Sequence, residues 1–311
     1  NMKKSGLIFD VIIGNPPFQG ESFTENKGAS QASTALWPKF VKLSFQNSNN
    51  YVCLITPRTV IKTPSFSQNL KSLSILNLNS EKIAPYFQDI GSSFCYFLFS
   101  LKDPPKEKTI IFSDGNEEKV EDLSFLKNIS GGGTITKKGI EIIEKISNKI
   151  KKNIPYKKGT AISINSDFYS IDKNEKYPYK CYYSSKKDRQ NLFTKEKTEG
   201  YGAENKLIVA HIFDFGNQSN YEHYTSSDKF TGAGLQAGVL YFSDKVDLEN
   251  IKQYLFSDIC RFIDHFYRHG RYAYDVFRNI PYIDLSRSWS NDELYEYFNL
   301  EEYKEYIQSQ I

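Results

Sequence analysis

Short apolar runs cut off by proline or glycine alternate, over the first third of the chain, with stretches of helical spacing. Phe9 to Ile13 is β-branched and almost continuously apolar, which predicts a strand buried on both faces of a parallel sheet. Gly14 closes the run and Asn15-Pro16-Pro17-Phe18 follows. Two successive prolines cannot donate to a β-ladder and hold φ at about −65°, so the strand must leave the sheet as a stiff extended loop. Leu36, Trp37, Phe40 and Leu43 then recur at the spacing of a helix, and Tyr51 to Ile55 predicts a second buried strand, with Thr56-Pro57-Arg58 as another proline-stiffened exit at the same sheet edge. A short helix over 65–73 and strands over 74–78, 93–99 and 109–112 complete an open α/β pattern. In such sheets the carboxyl edge of the strands is where ligands bind, which directs attention to the two exits.

Further along, the polar stretch 20–34 predicts a loop, and Ser130-Gly131-Gly132-Gly133-Thr134 marks a domain boundary, giving domains 1–130 and 131–311. In the second domain Leu207 to Ala210 and Gly238 to Phe242 predict core strands. Leu248 to Phe266 predicts one helix with Ile251, Leu255, Ile259, Phe262 and Phe266 on one face. Ser290 with Glu293 three residues on is a capping box that opens a short acidic helix. Phe230 to Gly238 has the spacing of a glycine turn that cradles a nucleoside donor. A polar segment precedes it and a strand follows, the reverse of what such a turn requires, so it reads as a glycine hairpin.

The first exit loop has a definite chemistry. The side-chain carbonyl of Asn15 and the main-chain carbonyls of Pro16 and Pro17 accept hydrogen bonds, and Phe18 supplies a flat apolar face. Together these suit an amino group on a planar ring: accepting both of its protons pushes the nitrogen toward sp³ geometry, where its lone pair can attack a methyl donor without a tuned general base. The plain alternative is a Pro-Pro loop after a core strand. The stretch resembles the Asn-Pro-Pro-Phe/Tyr signature of amino-group methyltransferases dependent on S-adenosylmethionine, above all the N6-adenine DNA methyltransferases of restriction-modification type.

That resemblance covers about the first 102 residues and carries expectations with it. The fold implied is the second half of a Rossmann-like methyltransferase sheet followed by an α+β target-recognition domain. The target adenine is flipped from double-stranded DNA, held by Asn15 and Pro16, and stacked on Phe18, with Phe87 against its other side; Tyr86 and Phe94 are the alternatives to Phe87. Only eight residues precede Phe9, so the donor-binding half is expected upstream in a longer chain, on a partner chain, or in permuted order, and the sheet is expected to have an uncovered edge or face. The same signature serves cytosine-N4, RNA and protein-glutamine methyltransferases. A DNA-binding specificity module with a non-catalytic methyltransferase half is the reading from a different class.

Charge sharpens the expectation of a nucleic-acid partner. The net charge is only +3, yet residues 137–199 hold 16 cationic against 8 anionic side chains, interleaved with tyrosine. Lysines mostly tether phosphates, whereas arginine can read guanine through two donors. The candidate DNA contacts are therefore Lys186, Lys187 and Arg189 in the basic segment and Arg268, Arg271 and Arg278 near the Ile280-Pro281 exit; a solvated charged face is the plain alternative. His265 and His269 share an i, i+4 spacing but lack the other ligands of a zinc site, so no metal is expected. Cys53, Cys95, Cys181 and Cys260 lie far apart and read as reduced thiols. No apolar run reaches the roughly 18 residues that span a membrane and no signal segment opens the chain, so a cytoplasmic protein is expected.

Overall fold

The computed structural model describes residues 7–17, 35–79, 93–128, 133–242, 247–268 and 272–311. The chain divides into two compact units, Asn1–Ile140 and Glu141–Ile311. The division falls inside the helix Lys137–Lys149, beyond the glycine run of 131–133. Both units are mixed α/β.

In the first unit, strand β1 (Phe9–Gly14) is followed by helix α1 (Trp37–Asn47), β2 (Ser48–Pro57), a 3₁₀ turn Arg58–Lys62, α2 (Pro64–Ser67), β3 (Leu73–Asn77), β4 (Phe94–Ser100), β5 (Lys108–Ile111), β6 (Glu117–Val120) and α3 (Lys137–Lys149). Six strands form one sheet in the order β1-β2-β4-β3-β5-β6. β1 runs parallel to β2 and β3 parallel to β5, while β4 is antiparallel to both of its neighbours. The acidic segment after Phe112 closes a hairpin with β5, an element its sequence does not announce because three of the four residues from Glu117 to Val120 are charged.

Two expectations change here. The β1 strand exists and is parallel, but among the described residues it lies at the sheet edge: Phe9, Val11 and Ile13 are 50%, 54% and 78% exposed. β2 alternates, with Val52, Leu54 and Thr56 buried and Cys53 and Ile55 only half-buried, so one sheet face is packed and the other partly open. The packed face holds Phe66, Phe97 and Phe99 in mutual edge-to-face contact at centroid separations of 5.2 to 5.4 Å, and Phe45 of α1 adds a fourth ring 4.9 Å from Phe99. α1 buries Trp37, Val41 and Ser44 and leaves Phe40 44% exposed, a stripe rotated from the one its bulkiest residues suggest. The reason is the short connection into β2: the strand begins at the residue after the helix ends, which fixes which face of α1 meets the sheet.

The second unit contains β7 (Tyr156–Lys158), β8 (Tyr169–Ser170), β9 (Tyr179–Tyr182), β10 (Leu192–Thr194), β11 (Lys206–Ala210), α4 (Tyr221–Tyr224), β12 (Thr225–Ser226), β13 (Thr231–Ala233), β14 (Ala237–Tyr241), α5 (Leu248–Leu255), α6 (Asp258–Tyr267), α7 (Tyr274–Phe277), α8 (Asn291–Phe298) and α9 (Lys304–Gln310). Its strands form two sheets, β13-β9-β10-β8 and β12-β11-β14-β7. A cluster of Tyr182 and Ala233 from the first with Ile208, Ala210, Ala237 and Val239 from the second joins them. The glycine-rich 230–238 segment is therefore a crossing between sheets, and β13 and β14 are not hydrogen-bonded to each other. Its glycines are there for close approach: a Cβ on Gly232 would lie 2.1 Å from Thr198 Oγ1, and one on Gly238 would lie 2.4 Å from the Tyr156 ring.

The predicted helix over 248–266 is two helices. α5 ends at Leu255, and Ser257 caps α6 by accepting from the Cys260 amide at 3.3 Å, so the local capping preference overrides an apolar face that runs through both. All five predicted face residues are buried. Ser290 and Glu293 form the expected capping box of α8.

One buried cation holds the second unit's loops to its strands. Lys206, 2% exposed at the start of β11, donates from Nζ to the carbonyls of Gly200, of Lys229 at 3.0 Å and of Thr231 at 2.5 Å. Lys206→Met keeps most of the apolar stem but strands three carbonyls. The expected loss is about 3 kcal/mol of unfolding free energy, taking hydrogen bonds to charged groups at about 1.5–3 kcal/mol each with partial rehydration. Urea titration of the variant checks this, and an unchanged midpoint would mean that the Gly200 and 229–231 segments are held by other contacts.

Candidate functional site

The first unit brings its two proline exits to one place. In the parallel β1–β2 ladder Ile13 pairs with Cys53 and Gly14 with Leu54, so Asn15-Pro16-Pro17 and Thr56-Pro57 both leave at the carboxyl ends of adjacent strands. Pro16 is buried and anchors the loop, while Asn15 and Pro17 are exposed. The Asn15 side-chain amide makes no hydrogen bond among the described residues, and its carbonyl is of the type that accepts from an amine. Phe18 and Phe87 lie outside the described residues, as does Tyr86. Phe94, the alternative to Phe87, is 3% exposed at the start of β4 opposite Pro57, a core position with no open ring face.

Arg58 braces this edge, and nothing in the sequence singles it out beyond its place after Thr56-Pro57. It is 2% exposed. Its guanidinium donates to the carbonyls of Leu78 at 2.6 Å and Gly133 at 2.5 Å, and its own amide donates to Ser93 O at 3.0 Å. Burial pushes its pKa down from the usual arginine range, with the neighbouring Cys95 thiol opposing. Leu78 and Ser93 flank the stretch that carries Phe87, so one arginine ties both roots of that stretch to the exit of β2. Among the described residues no cluster of His, Cys, Asp or Glu could hold a metal ion.

The candidate DNA-binding residues of the second unit fall into two kinds. Lys186 and Lys187 are exposed on the turn Lys187–Arg189, free of carboxylates among the described residues. Arg189 sits 3.8 Å from Asp188. Arg278, after α7, is exposed, with one carboxylate oxygen of Asp275 at 3.3 Å. Arg268 is different: Nε donates to Asp264 at 2.9 Å, one terminal nitrogen lies 2.6 Å from the same carboxylate, and that nitrogen also donates to Phe213 O at 2.7 Å. Its donors are spent inside the fold, joining α6 to the 213–216 loop, which argues against a base-reading role. Arg271 and His269 lie outside the described residues. A cavity of about 390 Å³ is lined by Asp214, Arg261, Asp264, His265 and Arg268 among others; its charges of both signs neutralise one another.

Pattern reading also missed a half-buried aromatic cluster beside β7. A hydrogen bond of 2.8 Å joins Tyr156 Oη and His211 Nε2, the Tyr156 ring stacks on Phe277 at 5.8 Å, and the His211 ring meets Tyr274 edge-on at 5.9 Å. These residues come from β7, the end of β11 and α7, so no sequence window contains them.

Residues 3–91 match the family model of the Eco57I restriction-modification methylase. No curated protein matches the chain. Among solved structures it is similar to the Type IIL restriction-modification enzyme MmeI in complex with DNA, with 12% identity and a TM-score of 0.42 over 88% of this chain and 46% of that one. It is also similar to the type IIG restriction endonuclease BpuSI, with 10% identity and a TM-score of 0.31 over 88% and 45%. A third likeness is to a nuclease-deletion mutant of the Type ISP restriction-modification enzyme LlaGI in complex with a DNA substrate mimic, with 10% identity and a TM-score of 0.37 over 92% and 34%. The chain spans less than half the length of each.

Two outcomes follow from this geometry. Arg268→Ala is expected to cost about 2 kcal/mol of stability through loss of its charged hydrogen bonds and to leave the ratio of affinities for cognate and scrambled duplexes unchanged. A changed ratio would restore it as a base reader. For His211, burial and then the nearby Lys158 ammonium push the pKa from its ordinary 6.5 down to about 4. The unfolded chain takes up that proton near 6.5 and the folded one only near 4, so the stability it contributes is full above 6.5 and is lost as pH falls through this window, by up to about 3 kcal/mol. Asp264, pushed up to about 6 by burial, acts in the opposite sense as pH falls. His211→Gln should therefore flatten the loss between pH 6.5 and 4 in denaturant titrations; a slope equal to the wild type's would remove His211 as its source.

Proposed function

We propose that this chain is the portion of a restriction-modification DNA methyltransferase that holds the acceptor base, an adenine turned out of the duplex and modified at its N6 amino group. In this reading the first unit holds the reacting base and the second is the target-recognition domain. The observation that carries it is the Asn15-Pro16-Pro17 exit at the carboxyl edge of β1, beside the Thr56-Pro57 exit of β2 and within the stretch that matches a methylase family. An adenine amine inside a duplex is out of reach, so the base must leave the stack at a cost of a few kcal/mol, offset by the pocket that receives it. The Asn15 side-chain carbonyl and the Pro16 main-chain carbonyl would accept hydrogen bonds from the two amine N–H groups, with Phe18 to stack on the ring and Phe87 to close its other face.

S-adenosylmethionine is the methyl donor this reading implies. The one stretch with the spacing of a donor turn, 230–238, does not fit it: its glycines are filled by Thr198, Tyr183 and Tyr156, and it runs from strand to strand without opening a helix. No step of the reaction is therefore assigned to donor-binding residues in this segment. The cationic, tyrosine-rich segment 137–199 supports a nucleic-acid substrate over a protein glutamine.

Incubating the intact protein with methyl-labelled S-adenosylmethionine and duplex DNA, followed by nucleoside analysis, tests the reading. Label is expected in N6-methyladenine. Asn15→Ala should lower the rate by about 10²–10³-fold, the size of effect seen when one positioned hydrogen-bonding group is lost, while DNA affinity is retained, because phosphate and base contacts elsewhere carry binding. Label in N4-methylcytosine would move the target to cytosine. Specific DNA binding without any transfer would favour a non-catalytic specificity module.

A further inference from the structure

Lys158, at the end of β7, is exposed and has no carboxylate partner among the described residues. Its Nζ is held 4.2 Å from the centroid of the Tyr274 ring. The neighbouring Lys157 contrasts with it, lying 3.8 Å from Glu199 and over the Tyr241 ring. Across the cluster the guanidinium of Arg278 lies 5.9 Å from the centroid of Tyr156. Asp275 is the carboxylate paired with Arg278 there, one anion against two cations.

The floor beneath these cations is rigid. Tyr156 is fixed by its stack on Phe277, by its bond to His211, and by the close approach that Gly238 allows. Tyr274 meets the His211 ring from the other side. Among the described residues one carboxylate faces two cations, which leaves positive potential over the cluster, and the same two cations disfavour the protonated form of His211. A lysine already seated on an aromatic ring gives up less freedom on meeting an anion than one waving in solvent, and an arginine fork beside it suits the paired oxygens of a phosphate.

We propose that Lys158 and Arg278, seated on the Tyr274 and Tyr156 rings, form a contact for the phosphodiester backbone of nucleic acid. The assignment rests on the reading of the second unit as DNA-binding. The site is an open surface, so it lacks the enclosure that would retain a small free anion. It lies in a unit whose 141–199 segment holds 14 cationic against 8 anionic side chains, a source of further backbone contacts. The contact tethers without reading sequence.

The test is binding of the full chain to two duplexes of unrelated sequence, by fluorescence anisotropy at several salt concentrations, for wild type, Lys158→Gln, Arg278→Gln and the double variant. Circular dichroism confirms the fold of each. Lys304→Gln, whose lysine is paired with Asp292 at 2.7 Å, serves as the charge control. The expected result is weaker binding to both duplexes alike, with the slope of log K against log salt reduced by roughly 1 for each of the two changes and unchanged in the control. Wild-type slopes in both variants would overturn the contact and return the cluster to a solvated face. So would equal slope changes in the control, or no binding of either duplex by wild type at low salt. Failure of the methyltransferase reading shows separately: a wild type that binds duplex but transfers no label loses that reading while the slopes still decide the contact.

Discussion

The parallel pairing of β1 with β2 is the constraint on which the first unit's candidate site depends. Parallel strands share a direction, so both chains must leave the sheet at the same edge, and the register Gly14 to Leu54 brings an Asn-Pro-Pro turn beside a Thr-Pro turn. A shift of the pairing by one residue would turn Pro16 out of its buried position and reverse every side chain of β1. Among the described residues β1 is paired with β2 alone, so its register comes from that ladder, and its exposed apolar side chains add little to it.

Around that edge the unit divides stiffness from availability. The rings of Phe66, Phe97 and Phe99 lock β4 to the packed face, and Arg58 ties Leu78, Ser93 and Gly133 to the turn after β2 through its side chain and amide. A buried guanidinium is costly unless its donors are met, and carbonyls at chain exits are costly unless they find donors; each solves the other's problem. Asn15, by contrast, is exposed and its side chain makes no hydrogen bond among the described residues, which suits the amine-binding role proposed for it.

In the second unit the same exchange recurs with a lysine. Lys206 satisfies three carbonyls from the loops around β13, and glycines at 232 and 238 let the chain pass against Thr198 and Tyr156 closely enough to join two small sheets in one core. Holding Tyr156 in that way fixes the surface on which Lys158 and Arg278 lie, so the interior packing of glycine reaches the charged exterior through one aromatic ring.

Local chemistry alone determined a good deal. Proline geometry ends β1 at Gly14 and opens the Asn15 turn; the Ser290 and Glu293 capping box starts α8; the apolar periodicity from Ile251 to Phe266 marks buried positions. These are short-range effects of φ restriction, side-chain capping and burial pattern, complete within a few residues. Only the tertiary structure decided that β1 lies at the sheet edge among the described residues, since an apolar pentapeptide does not reveal how many neighbours it will have. It also decided that α5 and α6 part at Ser257, that Arg268 spends its donors on Asp264 and Phe213 while Arg278 faces out, and that Lys158, His211 and Tyr274 meet. A side chain's partners in those cases lie tens of residues away. Whether a cation is consumed by the fold or left for a ligand is set by what long-range packing brings beside it.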